Sequence, residues 1–272
     1  MYKLSIITIN LNNAQGLRKT IESVVNQTYN DFEYIIIDGG SSDGSVELIK
    51  EYADKITYWV SEPDNGIYNA MNKGILKATG EYCLFLNSGD WLVDNILSLV
   101  FNNAINVDIL YGNIIKQYSI KESEIFKGCA KEYLTLLDFM FDKISHQAAF
   151  IKRNLFLIFG FFDERFKIAS DVLFFARVII KENVTYKYID LNITNFDPYG
   201  IGNFGEDEKK IALETLFSKR ILDDYYYLKE LKDQVLNLKI ELKRYKHRFS
   251  IIDRLYTRTK KFLIRLFTNI NA

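Results

Sequence analysis

Over its first hundred residues the chain switches repeatedly between two hydrophobic periods, and few folds accommodate that switch. "KLSIITI" (3–9) is a short β-rich run, and "LRKTIESVVNQ" (17–27) follows it with Leu17, Ile21, Val24 and Val25 at helical spacing. "FEYIIID" (32–38) reads as a second strand, "SVELIKEYA" (45–53) as a second helix and "KITYWV" (55–60) as a third strand. "GIYNAMNKGILKA" (66–78) is a third helix and "EYCLFLN" (81–87) a fourth strand. Alternation of this kind, joined by short Gly, Asn, Ser and Asp connections, predicts a parallel, doubly wound α/β sheet. Strands so apolar are expected to be covered on both faces.

Beyond residue 105 the pattern loosens. Strands are expected at 107–115, 145–151 and 186–196 and helices at 133–142 and 171–181, which makes the sheet mixed. From Glu206 onward the sequence is helical in pattern. This divides the chain into a domain over residues 1–205 and a helical C-terminal extension over 206–272. Leu228, Leu231, Val235, Leu238 and Leu242 lie near a three-four spacing, as on a short coiled coil able to form a homodimer. The segment "IIDRLYTRTKKFLIRLF" (251–267) is a basic amphipathic helix.

Charge sharpens the contrast between the two parts. Lysine plus arginine and aspartate plus glutamate each number 35. Yet Lys239, Lys243, Arg244, Lys246, Arg248, Arg254, Arg258, Lys260, Lys261 and Arg265 stand against Glu241 and Asp253 alone. The remainder is therefore acidic, and the basic tail calls for an anionic partner. Apolar side chains such as Ile252, Leu255, Phe262 and Phe267, interleaved with those cations, favour an anionic membrane surface over nucleic acid. "MYKLSIITIN" enters a strand at once, without the pattern of a signal peptide, and no apolar run matches a bilayer's thickness. The expected location is cytoplasmic, peripheral at the inner face of the membrane. The two cysteines and two histidines are too scattered for a structural zinc site.

In an open parallel sheet, ligands bind beyond the carboxyl ends of the strands. Here those ends read Thr8-Ile9-Asn10, Asp38-Gly39-Gly40, "SEPDNG" and "NSGD", so Asp38, Asp64 and Asp90 share one rim. Such residues also make turns and cap helices, and Asp43 reads as a cap for the second helix. Like charges repel at close range, and a divalent cation carrying a diphosphate resolves that repulsion. There is no GxGxxG after the first strand and no GxxxxGK[ST], which disfavours a dinucleotide-dependent dehydrogenase or a P-loop NTPase. Asp171 opens a helical run, where a first-turn acid also suits the helix dipole. "DPYGIGNFGE" (197–206) reads as a loop able to close over a ligand, or as a plain linker to the C-terminal helices.

Three stretches, "SIITINLNNAQGLRKTIESVVNQTYNDFEYIIIDGGSSDGS", "SEPDNGIYNAMNKGILKATGEYCLFLNSGD" and "HQAAFIKRNLFLIFGFFDERFKIASDVLFFARV", together resemble the family 2 glycosyltransferases, in the bacterial branch that builds surface polysaccharides. The resemblance covers roughly residues 3 to 205. It implies the GT-A fold: α/β, with a mixed, mostly parallel sheet flanked by helices, here followed by a C-terminal helical extension. It also implies an inverting enzyme that moves a sugar from a nucleotide-diphosphate donor to a hydroxyl of a growing, lipid-linked cell-surface glycan.

On that resemblance "NSGD" occupies the place of the DxD-type motif, so Asp90 would coordinate Mg²⁺ or Mn²⁺ on the donor diphosphate. Asp38 would contact the nucleoside, with Thr8 and Asn10 under base and ribose, and Asp64 and Asn72 bordering the pocket. "ASD" nominates Asp171 as the catalytic base, and His146-Gln147 matches a motif of the branch that would serve acceptor or phosphate. The chain departs from the pattern at Gly39, Asn87, Gly89 and Ser170, where acids are common. The rival readings are a nucleotidyltransferase on a related sheet and a non-catalytic, membrane-associated nucleotide-binding protein.

Overall fold

A computed structural model describes residues 2–102, 106–119, 122–135, 138–139, 144–196, 206–217, 234–235 and 237–242. Strands β1 (Leu4–Asn10), β2 (Phe32–Asp38), β3 (Tyr58–Ser61) and β4 (Tyr82–Asn87) alternate with helices α1 (Ala14–Val25), α2 (Ser45–Glu51) and α3 (Ile67–Lys77). There follow β5 (Trp91–Leu92), α4 (Ile96–Phe101), β6 (Ile109–Gln117) and β7 (Ser123–Phe126). A 3₁₀ turn (His146–Ala148) leads into β8 (Ala149–Lys152), α5 (Arg153–Phe159), α6 (Ser170–Ala176), β9 (Tyr186–Phe196) and α7 (Glu206–Glu214).

The strands form one nine-stranded sheet in the order β3-β2-β1-β4-β8-β6-β9-β5, with β7 paired to β6. β1 to β4 run parallel to their neighbours, whereas β8 is antiparallel to β4 and β6, and β9 is parallel to β6. β1 is buried at every position and β2 at all but its first, as predominantly apolar runs require when helices cover both faces.

Three elements differ from the sequence-based expectation. The strand expected over 145–151 begins instead with the 3₁₀ turn, and only Ala149–Lys152 pairs in the sheet. Residues 133–135, expected to be helical, are not, while 138–139 are. There the Asp138 carboxylate accepts the Thr135 N–H and hydroxyl, both at 2.8 Å, an alternative to helical pairing. The helix expected over 171–181 is α-helical through Ala176 and widens into a π turn over Arg177–Lys181.

An aromatic cluster joins the two halves of the sequence. Phe162 lies 5.3 Å from Phe85 on β4, 5.2 Å from Phe156 on α5, 5.4 Å from Phe174 on α6 and 5.5 Å from Tyr68 on α3, between ring centroids. Helix α7 buries Ala212 against Phe166, Ala169 and Leu173, and its Glu208 accepts the Ile168 N–H at 3.0 Å. Both contacts fix the segment that leads into α6.

Residues 1–218 and 219–272 form two compact units. In the second, residues 234–235 and 237–242 are helical, with Val235, Leu238 and Leu242 exposed. Leu228, Leu231 and the basic amphipathic stretch 251–267 lie outside the described residues, as does most of the glycine-containing loop 197–206.

Candidate active site

Strand register builds the rim. Asn10 of β1 stands beside Asp38 of β2, Asp38 beside Ser61 of β3, and Ile9 beside Asn87 of β4. The carboxyl ends of four strands are thus level, as a parallel sheet requires for a site shared between loops.

Asp38 is fully buried and hydrogen-bonded at both oxygens. Oδ1 accepts from Asn10 Nδ2 at 2.7 Å and Ser41 Oγ at 2.6 Å, and Oδ2 from the Ser41 N–H at 2.9 Å and Ser61 Oγ at 2.6 Å. Burial pushes its pKa up, but these bonds outweigh burial and hold it below the usual carboxylate value. The loops after β1 and β2 are stitched further by Asn12, whose N–H donates to Ser41 Oγ at 2.8 Å and whose Oδ1 accepts the Ser42 N–H at 2.9 Å. Asp43 accepts the first N–H of α1 (Ala14, 2.8 Å) and the first of α2 (Ser45, 3.1 Å), so it serves two helix starts.

Asp64 accepts the Gly66 N–H at 2.8 Å and leans over Gly39. A Cβ at Gly39 would meet Asp64 Oδ2 at 2.6 Å, so a larger residue there requires the Asp64 side chain to swing aside. Thr8 lies deeper, buried, with its hydroxyl 3.0 Å from the Tyr34 hydroxyl. Asn72 is tied to the 160s loop: Nδ2 donates to the Phe162 carbonyl and Glu164 Oε1, both at 2.9 Å, and Oδ1 accepts the Phe162 N–H at 3.1 Å.

The loop after β4 is clamped to α1. Thr20 Oγ1 donates to the Asp90 carbonyl at 2.7 Å and accepts the Gly89 N–H at 3.0 Å, while Asn13 Nδ2 donates to the Ser88 carbonyl at 2.9 Å. Gly89 has φ of +107°, a left-handed value that a side chain at this position would strain. The Asp90 carboxylate is held at the rim, 3% exposed, and Lys19 caps the adjacent Trp91 ring. Among the described residues no group of three or more His, Cys, Asp or Glu side chains is arranged to hold a metal. One buried carboxylate suits a cation that arrives with oxygens of its own, as on a diphosphate.

The last part of the site lies across the aromatic cluster. Asp171 sits in the first turn of α6, buried. Its Oδ2 is 2.8 Å from His146 Nδ1 and its Oδ1 is 2.8 Å from the Tyr68 hydroxyl, which also lies 2.6 Å from the Ile168 carbonyl. His146 Nε2 is 3.5 Å from Asn87 Nδ2, at the start of the loop that carries Asp90. Burial pushes Asp171 upward, but the bonds from His146 and Tyr68 outweigh it and keep its pKa below the usual carboxylate value. Burial and the facing carboxylate drive the Tyr68 phenol well up. Gln147 follows His146 in the 3₁₀ turn, buried.

Of the residues singled out in the sequence, the structure joins Asn10 to Asp38 and His146 to Asp171; Thr8 and Asn72 lie inside the packed frame. Sequence reasoning passed over Tyr68, Ser41, Ser61, Asn13 and Thr20. Ser41 lies within "IDGGSSDGS" and Tyr68 within "DNGIYNAMNKG", so position in a quoted motif was the available signal.

Comparison with known proteins follows the same division. The family model for glycosyl transferase family 2 matches residues 5–153. A "PGL/p-HBAD biosynthesis glycosyltransferase" of Mycobacterium bovis is 28% identical over 230 residues, covering 80% of this chain and 87% of that protein. The crystal structure of S. aureus TarS 1-349 in complex with UDP-GlcNAc superposes with a TM-score of 0.60 at 20% identity, covering 73% of this chain and 59% of that one. The mannosyltransferase PcManGT from Pyrobaculum calidifontis, in complex with GDP-Man and Mn²⁺, gives 0.54 at 15% identity over 77% of this chain and 60% of that one. This chain therefore spans about three fifths of either solved chain, and the likeness is one of fold, the mixed, mostly parallel GT-A sheet.

Proposed function

The chain belongs to glycosyl transferase family 2, and from that premise we propose that it moves a sugar, with inversion, from a nucleotide-diphosphate donor to a hydroxyl of a growing, lipid-linked cell-surface glycan. Membership of a glycosyltransferase family sets aside the nucleotidyltransferase and non-catalytic readings. The observation that carries the finer reading is the meeting at Asn87: the loop running to Asp90 and the His146–Asp171 pair come together there.

Inverting transfer needs a base for the acceptor hydroxyl on the face opposite the leaving group. Asp171, kept ionised by its partners, would supply that function at the inner wall of the site, directly or through the His146 ring bonded to it. A positioned base contributes about 10²- to 10⁴-fold. Asp90 would hold Mg²⁺ or Mn²⁺ together with the donor diphosphate. Bound there, the cation would neutralise charge developing on the leaving diphosphate. Asn10 and Asp64 border the nucleoside, Thr8 and Asn72 support that pocket from within the frame, and Asp38 keeps its two loops in register. His146 and Gln147 face the acceptor. The complexes of TarS with UDP-GlcNAc and of PcManGT with GDP-Man and Mn²⁺ support this donor class and cation, and the mycobacterial relative's name supports a glycan-building role. Among the described residues no helix is long and apolar enough to cross a membrane, and we place the enzyme at the cytoplasmic face through its basic tail.

The test is thermal stability with UDP, GDP, dTDP and CMP, each with and without Mn²⁺, for wild type and Asp90→Ala. A ligand at a hundred times its dissociation constant adds about 2.7 kcal/mol. The expected result is no shift with Mn²⁺ alone, a shift with one nucleotide plus Mn²⁺, and its loss in Asp90→Ala. Indifference of the wild type to every nucleotide, with or without metal, overturns the proposal.

A further inference from the structure

We infer that His146 Nε2, rather than an oxygen of Asp171, is the atom that receives the acceptor's proton, with Asp171 orienting the ring and stabilising the imidazolium. This rests on the glycosyltransferase reading above and deepens it.

Both Asp171 oxygens already have partners, His146 Nδ1 at 2.8 Å and the Tyr68 hydroxyl at 2.8 Å. An ionised carboxylate only accepts hydrogen bonds, so the proton of a neutral imidazole beside it resides on Nδ1 and the lone pair on Nε2. Among the described residues that lone pair meets only Asn87 Nδ2, at 3.5 Å, the outer limit of a hydrogen bond. It therefore keeps its capacity to accept, and it lies on the side of the ring toward the loop that runs to Asp90. The buried Asn87 Oδ1 beside it has no hydrogen-bond partner among the described residues.

The turn that carries His146 is fixed by the Ala148 N–H on the Ser145 carbonyl at 3.0 Å and packs against β4, β6 and β9. Other ionisable groups on those strands are engaged elsewhere. Tyr111 donates to the Cys129 carbonyl, Tyr188 bonds Asn113 and Asp190, Asp190 pairs with Lys127, Tyr186 donates to the Glu132 carbonyl, and Lys116 lies over Phe126. Lys187 is exposed; on β4, Tyr82 donates to the Val107 carbonyl, Cys83 is fully buried, and Asn87, which does not titrate, is the residue against the ring. Asp171, backed by Tyr68, is the charged group that governs the ring.

In the step, the acceptor oxygen bonds to the anomeric carbon as its proton passes to Nε2. The bond from that carbon to the diphosphate oxygen breaks, and its electron pair leaves on the diphosphate. The imidazolium, held beside Asp171, then releases its proton to solvent.

The experiment measures kcat/KM against pH for transfer by wild type, His146→Gln and Asp171→Asn, with nucleotide-plus-Mn²⁺ melting shifts recorded for each. The expected wild-type profile has an acid limb that depends on His146. His146→Gln should lose about 10²- to 10⁴-fold in kcat, lose that limb and retain the melting shift. His146→Ala should be partly restored by added imidazole, whereas Asp171→Ala should not. A His146→Gln enzyme that keeps wild-type kcat, or that keeps the wild-type acid limb, overturns the inference in favour of direct proton transfer to Asp171. Loss of the Mn²⁺-dependent shift in His146→Gln overturns it differently, by placing His146 on the donor. Absence of any nucleotide shift in the wild type overturns the donor reading, and this inference with it.

Discussion

Asp38 shows how a single residue's work differs from its first appearance at a strand end. Its four short hydrogen bonds bind the loops after β1, β2 and β3 into one unit. Asp38→Asn replaces an acceptor by a donor in a buried ring of donors, and should cost about 1–3 kcal/mol at neutral pH. Because the folded pKa lies below the ordinary 3.8, the carboxylate's contribution is complete above that value and is lost as pH falls through the lower, folded one. Urea denaturation of both proteins from pH 7 down to pH 3 should show their stabilities converging at the acid end. A constant gap would mean that the ionised carboxylate is not what the donors hold. Gly39 is the complementary case: a side chain there would have to displace the Asp64 carboxylate.

At the scale of elements, two packings hold the site. The first is α1 against the β4 loop, where Thr20 both donates and accepts. Thr20→Val keeps the shape and removes both bonds, at about 1–3 kcal/mol of stability. It should also reduce the Mn²⁺-dependent nucleotide shift while leaving the Asp171 region intact. A fold loss with an unchanged nucleotide shift would show that the clamp does not position Asp90. The second is the aromatic cluster. Phe162 is 3% exposed and touches four elements, so Phe162→Ala should cost about 3–5 kcal/mol on thermal unfolding. It also frees the segment whose backbone Asn72 holds at both N–H and carbonyl. A cost near zero would mean that the cluster's rings close over the space.

For the whole molecule, charge is the organising quantity. Cations and anions balance at 35 each, yet the C-terminal residues are predominantly basic. The full chain should sediment with vesicles containing anionic lipid, not with neutral ones, and salt should release it. Replacing Arg258, Lys260, Lys261 and Arg265 with glutamine should remove on the order of 1 kcal/mol per cation. Salt-sensitive binding to RNA or DNA with no vesicle binding would overturn this location. The proposed homodimer would pair the exposed Val235, Leu238 and Leu242 of two copies, and sedimentation equilibrium would detect it.

The alternation of β1 to β4 with α1 to α3, and the acids at their carboxyl ends, were legible from residue order. Period and turn chemistry are local properties, and a parallel sheet converts strand ends into a rim whatever else the chain does. Asp90 was nominated both by its place at a strand end and by motif order, and the roles of Asp171 and His146 by motif order alone. Only the tertiary structure decided that His146 and Asp171 share a hydrogen bond, that Tyr68 reaches Asp171 across 103 positions, and that Asn72 grips Phe162 across 90. Those pairings depend on how aromatic rings from α3, β4, α5 and α6 interlock, and no local period encodes which distant face a buried ring will meet.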